Sequence, residues 1–272
     1  MQEVIDAAVA ATPGVRWSIR VGADAGHGAD RRLRTASIGK LLLLLETARR
    51  LEDGTLEAGE PLPRDPALAV ADSGLWQHLA VDALPLADVA VLVAAVSDNW
   101  ATNVLLHRVG LDAVAELAAT LGLRDTGLHD RVRDHREPHD PRTLSTGSAR
   151  ELCALMADVA DGRAVSAAVS RRTDDWLATG TDLSMVASGL GLDPLAHVTA
   201  DRGRLLRNKT GTDTGVRADV GHLGNLPYAV LANFDAGHHD TTDAVLTAMR
   251  SIGTELGRTP SPLSTIPIGA IE

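Results

Sequence analysis

Apolar positions along the chain fall into stretches of different period. Residues 2–11 carry them at helical spacing and stop at Pro13, which predicts a short helix. "VRWSIRVGA" at 15–23 then alternates Val15, Trp17, Ile19 and Val21 with Arg16, Ser18 and Arg20, the two-residue period of a strand with one buried face. From Ser37 to about Asp53 the pattern is helical again, ending in Arg49, Arg50 and the stop "DGT". Leu41 to Leu45 put apolar surface all around this helix, so it is predicted to be buried.

Residues 55 to about 200 show no convincing strand pair. "LADVAVLVAAVSD", "NVLLHRV", "DAVAELAATLG", "SARELCALMADVADG" and "RTDDWLATG" read instead as apolar helices separated by Gly, Pro and Asp. Three strands are predicted at 204–210, 215–224 and 227–234, joined by "GTDTG" and "GNLP", then a helix from about Thr241 to Leu256. The expected fold class is α+β with two lobes. Residues 1–52 and 201–257 would form an α/β lobe, an antiparallel sheet from both chain ends flanked by terminal helices, and residues 53–200 an all-helical lobe. Residues 258–272, with three prolines, read as an extended or disordered tail. A cleft between two such lobes is a natural ligand site.

Composition narrows the partners. With 272 residues, 44% hydrophobic and 23% charged, the chain reads as soluble and globular, and four Trp, one Tyr and one Phe leave the core to aliphatic side chains. A net charge of −10 argues against nucleic acid and anionic membrane, which both require a basic face. The single Cys153 lies in an apolar helical stretch and excludes an intrachain disulfide. No apolar run is long enough to span a bilayer, and the first residues lack the basic and apolar regions of a leader, so a cytoplasmic protein acting on a small molecule is expected.

Candidate chemistry begins with the basic residues: of 26, only Lys40 and Lys209 are lysine. A guanidinium stays protonated, whereas an amine in a desolvated or positive setting can lose its proton and act as a base. Ser37 and Lys40 stand i, i+3 at the predicted start of a buried helix, so their side chains share a face where helix N–H groups favour developing negative charge. These are the parts of an activated nucleophile. Taken alone, Ser-x-x-Lys also suits a capping serine and a solvated lysine.

Two further triplets change that. "VSDNWATN" contains Ser97-Asp98-Asn99 after an apolar run, and "RNKTGT" contains Lys209-Thr210-Gly211 on a predicted strand. In this order the three motifs resemble the signature of class A β-lactamases and penicillin-binding proteins. The resemblance extends through "ASIGKLLLLLETARRLEDGTL", "DSGLWQHL", "LADVAVLVAAVSDNWATNVLLHRVG" and "NKTGTDTGVRADVGHL" and stops at Arg258. It implies a serine hydrolase with Ser37 as nucleophile and Lys40 as general base or proton relay. Ser97 would pass a proton to the leaving group, and Lys209 would lower the pKa of Ser97 and Lys40 while attracting an anionic substrate. The N–H groups of Ser37 and Thr212 would form an oxyanion hole. Asn99, Thr210, Gly211 and Arg217 would bind substrate, Arg217 through its carboxylate. No cofactor or metal is implied: His135 and His139 are spaced i, i+4, but Pro138 breaks any helix there.

One stretch departs from the family. Fast members carry a deacylating Glu in a loop resembling D-R-x-E-x-x-L-N, whereas this chain has "HDRVRDHREPHDPRT". With Asp130-Arg131 matched to the D-R, Arg133 stands where the Glu is expected; Asp134 or Glu137 replaces it only with a register shift. Acylation is therefore expected and deacylation is in question. Three functions stay open: a β-lactamase-type hydrolase of β-lactams or activated amides and esters, a penicillin-binding-like acyltransferase or D,D-peptidase, and a non-catalytic binding relative.

Overall fold

The computed structural model describes residues 1–71, 73–235, 237 and 239–258; residues 259–272, most of the expected tail, lie outside it. The chain opens with α1 (Gln2–Ala10), β1 (Arg16–Val21), β2 (Ala25–His27) and β3 (Leu33–Arg34). A 3₁₀ turn over Ala36–Gly39 leads into α2 (Lys40–Glu52), followed by β4 (Pro61–Pro63), β5 (Ala83–Pro85), α3 (Leu86–Ala95), α4 (Asn99–Val109) and α5 (Leu111–Thr120). Next come β6 (Gly127–Leu128), β7 (Ser145–Gly147), α6 (Ala149–Ala160) and α7 (Ala167–Leu177), then β8 (Leu206–Asp213), β9 (Val216–Leu223), β10 (Leu226–Asn233) and α8 (His239–Leu256).

The main sheet is antiparallel in the order β2-β1-β10-β9-β8, so the first strands pair with the last ones. Ile19 lies opposite Val230, and Lys209 opposite Val220. This is the α+β architecture expected from the two chain ends. Alternate residues of β9 and β10 serve two cores, as strand geometry requires. Tyr228, Val230 and Ala232 pack with Ile5, Val245, Met249 and Ile252 of α1 and α8. Ala218, Val220, Ala229 and Leu231 join a larger core containing Leu41–Leu45 of α2 and the buried faces of α3 to α7. All five leucines are at most 1% exposed, because helices or sheet surround α2 on every side. Burying one such side chain stabilises the fold by about 1.5–3 kcal/mol.

The structure corrects the sequence reading in three places. The middle of the chain does contain strand pairs: β4 pairs with β5, and β7 pairs with both β3 and β6. Ser37 sits in the 3₁₀ turn, and the α-helix starts at Lys40 rather than at the serine. In β1, Ser18 is fully buried on the supposed polar face, where its hydroxyl donates to Ala29 O and accepts from Ala149 N at 3.0 Å. A short polar side chain can enter a core when both of its hydrogen-bonding roles are met.

Candidate active site

Ser37 is held from both sides. The residue before it, Ala36, has φ +49°, a left-handed conformation that L-residues with a Cβ rarely adopt. Two contacts hold this turn: the Ser145 hydroxyl donates to Ala36 O at 2.5 Å, and the Thr35 and Ser145 hydroxyls lie 2.7 Å apart. β8 runs directly beside the turn. A Cβ on Gly211 would stand 2.2 Å from Thr35 O and 3.2 Å from Ser37 N, so only glycine permits this approach. The strand carrying the third motif is thereby pressed against the backbone of the first.

Lys40, fully buried, reaches across to the second motif. Its Nζ lies 2.6 Å from Ser97 O, 3.1 Å from Ser97 Oγ and 2.8 Å from Asn99 Oδ1. Ser97 also has a positive φ, +56°, which turns the chain sharply out of α3. Asp98, the middle residue of that motif, is 1% exposed and faces away from the cavity. Its carboxylate caps α4 by accepting from Ala101 N at 2.9 Å, and accepts from Leu75 N at 2.7 Å and Trp76 N at 2.8 Å. Gly74 makes room for it, since a Cβ there would meet the carboxyl at 2.5 Å.

These segments wall one cavity of about 610 Å³. Ser37, Ser97, Asn99, Lys209, Thr210 and Thr212 all line it. Lys209 is nearly fully buried; desolvation pulls its ammonium down to about 8, against the opposing pull of the Asp182 and Asp219 carboxylates. Asp219 lies behind β8, where burial pushes its carboxyl up to about 6 although Asn208 and Tyr228 donate to it at 3.1 and 3.0 Å. Arg217 does not line the cavity. It lies opposite Thr212 in the ladder, and its Nη1 donates to Asp213 O and Val216 O.

The loop at 129–143 supplies the facing wall. Arg133 lines the cavity while donating to Asp130 at 2.7 Å and pairing with Asp140 at 3.1 Å; Arg136 donates to Asp130 at 2.5 Å. Burial alone would raise the Asp130 pKa, but these two guanidiniums outweigh it and hold the carboxyl below its ordinary range. Asp134 lines the cavity, with Oδ1 accepting from Ala71 N at 2.9 Å. Glu137 is exposed and does not line it. Trp76 is core, and Trp100 stacks under the Arg64 guanidinium at 5.3 Å; neither lines the cavity.

Four contributors escaped the sequence reading. Asn103, one turn past Asn99 on α4, accepts from Val132 N at 2.8 Å and donates to Val132 O at 3.0 Å, tying the loop to the helix. Its i+4 spacing from Asn99 was the available signal. Asp213 ends β8 three residues past Thr210, whereas Asp182 and Ser145 reach the site across long sequence separations where nothing local marked them.

Fold and site together define a class: the two-lobed serine hydrolases that include β-lactamases and penicillin-binding proteins. The chain belongs to the beta-lactamase enzyme family, whose model matches residues 1–259, and is a β-lactamase-like hydrolase. It is similar to a beta-lactamase from Sphaerobacter thermophilus DSM 20745, with a TM-score of 0.81 and 27% identity over 96% of this chain and 99% of that one. Two more distant structures share the fold. One is PBP-A, with a TM-score of 0.77 and 20% identity over 94% of this chain and 95% of that one. The other, a beta lactamase from Xanthomonas campestris pv. campestris str. ATCC 33913, has a TM-score of 0.77 and 18% identity over 93% and 96%. No curated protein matches the chain. Among the described residues, no helix is long and apolar enough to cross a membrane.

Proposed function

We propose that the protein opens a β-lactam or a related activated amide or ester through a Ser37 acyl-enzyme that deacylates slowly. The observation carrying this reading is the buried Lys40 amine, placed against Ser97 Oγ and Asn99 Oδ1 and three residues from a serine lining the same cavity. Around Nζ, Ser97 O and Asn99 Oδ1 are pure acceptors, while Ser97 Oγ is a hydroxyl that can itself donate. An amine in this place can exchange a proton with the Ser97 hydroxyl.

In this mechanism Ser37 Oγ attacks the carbonyl carbon and its proton passes to Lys40 Nζ. The oxyanion forms against the N–H groups of Ser37 and Thr212. As the bond to the leaving nitrogen or oxygen breaks, Ser97 delivers a proton to it and is reprotonated from Lys40. The Lys209 ammonium lowers the cost of negative charge on Ser97. Water must then release the acyl group, and the facing loop offers Arg133 already paired with Asp130, and Asp134 bonded to Ala71 N. Arg133 cannot serve as a base for that water, and Asp134 has one of its two carboxylate oxygens held by backbone. The same loop favours, as a second reading, a penicillin-binding-like acyltransferase whose acyl group leaves to an amine.

A chromogenic cephalosporin tests the reading. Mixing should give a burst of one equivalent followed by slow turnover, and a D-amino-acid amide acceptor should accelerate release only under the acyltransferase reading. Steady turnover without a burst would contradict slow deacylation.

A further inference from the structure

The end of the cavity walled by β8 is where the motif resemblance implies an anionic substrate, held by Lys209, Thr210 and Arg217. Its charges point elsewhere. Asp182, in the segment after α7, lines the cavity together with Lys209 and Thr210. Its Oδ1 accepts from Ser184 N at 3.0 Å and Ser184 Oγ at 2.6 Å. Burial raises its pKa, but hydrogen bonds from Ser184 and the Thr210 hydroxyl, with the Lys209 charge, outweigh this and keep it ionised.

The backbone fixes Asp182 in that place. Thr181 N and Oγ1 both donate to Ala95 O, at 2.9 and 3.1 Å, and Asn208 Nδ2 donates to Asp182 O at 3.5 Å. A second carboxylate, Asp213, lines the cavity at the hairpin end of β8. Arg217 is turned to main-chain carbonyls outside the lining, and Arg133 and Arg136 on the opposite wall are paired with Asp130. Among the described residues, the β8 end therefore sets one ammonium against two carboxylates. A substrate carboxylate entering there would compete with Asp182 for the same hydroxyl and ammonium, and would meet the like charge of the partly buried Asp182 and, further out, that of the exposed Asp213.

We infer that Asp182 is a specificity-determining residue, selecting acyl donors that carry no carboxylate at the Lys209–Thr210 end: uncharged esters or amides in preference to acidic β-lactams. This rests on the Ser37 acyl-enzyme reading above. Like-charge exclusion supplies discrimination by repulsion, which a merely structural partner of Lys209 would not.

The experiment compares a cephalosporin carboxylate with its methyl ester, each second-order rate of adduct formation being divided by the compound's own alkaline hydrolysis rate. Wild type should favour the methyl ester by about tenfold or more, the effect of one like charge at partly desolvated contact distance. Asp182→Asn, nearly isosteric and still able to accept from Ser184, should move that ratio toward the carboxylate by about tenfold. Asp213→Asn, at an exposed position, should move it the same way by less. A wild-type preference for the carboxylate overturns the inference without any variant having to fold. So does an unmoved ratio in Asp182→Asn with native circular dichroism. Failure of both compounds to form an adduct overturns the Ser37 reading itself, whereas adducts with the wrong preference overturn only the inference.

Discussion

The two walls of the cavity are held by different means. On the wall formed by α2, the start of α4 and β8, the polar groups are buried and bonded to backbone: Lys40 to Ser97 O, Asp98 to three main-chain N–H groups, Ser145 to Ala36 O. On the wall formed by 129–143, the hold comes from the partly exposed Arg133 and Arg136 paired with the buried Asp130 and from the two Asn103 contacts with Val132. Buried bonds to fixed backbone set positions closely, while paired guanidiniums tolerate adjustment. The first wall bears the groups that the proposed acylation would use. The second places arginines paired with Asp130 where the motif resemblance leads one to expect a water-activating carboxylate.

Perturbing the first wall should have the largest effect. Lys40→Met, close in volume, is expected to slow acylation by about 10²–10⁴-fold, the usual cost of losing a general base, with the circular dichroism unchanged. A smaller loss would transfer the base role to another group. Next, Asp98→Ala strands three buried N–H donors and should destabilise the fold by about 3 kcal/mol in urea unfolding, although Asp98 faces away from the cavity. Retained stability with lost activity would make Asp98 part of the chemistry rather than its support.

The pH dependence sharpens the comparison. Burial lowers Lys209 from 10.5 to about 8, so between those values the folded protein binds fewer protons than the unfolded chain. The contribution of Lys209 to stability therefore rises with pH through that window. Acylation, which uses the ammonium, should fall above pH 8, so the urea midpoint and the acylation rate are expected to move in opposite directions. Because the Asp182 charge raises the Lys209 pKa, Asp182→Asn should shift the alkaline limb to lower pH. The smallest effects belong to the second wall: Asp134→Asn and Glu137→Gln should each change the acyl-enzyme lifetime by less than about threefold, against the 10²–10⁴ expected of a true base. A hundredfold lengthening in either variant would restore a deacylating carboxylate.

Much of the fold was legible because long elements repeat their pattern. The meander expected at 204–210, 215–224 and 227–234 is β8 to β10, and the five apolar segments of the middle are α3 to α7. The pairs β4–β5 and β6–β7 were not legible, since strands of two or three residues are too short to display a period. Within the site, the three motifs were readable as local triplets, and the structure brings Ser37, Ser97, Asn99 and Lys209 to one cavity, with Lys40 Nζ against Ser97 Oγ. The side chain of Arg217 was not: the resemblance made it a ligand of the substrate carboxylate, but it lies opposite Thr212 with its guanidinium turned to the hairpin carbonyls. Asp182 reaches the cavity from a segment with neither motif nor period, where only the path of the chain decides its neighbours.

The central claim is that Ser37 Oγ becomes covalently acylated with help from the buried Lys40 amine. Intact-mass spectrometry after mixing the protein with the methyl ester of a cephalosporin tests it most directly. The account predicts a single adduct of the opened compound that persists for minutes or longer and is absent from Ser37→Ala. An adduct of equal yield in Ser37→Ala, or none on the wild type with any β-lactam or activated ester, would contradict it.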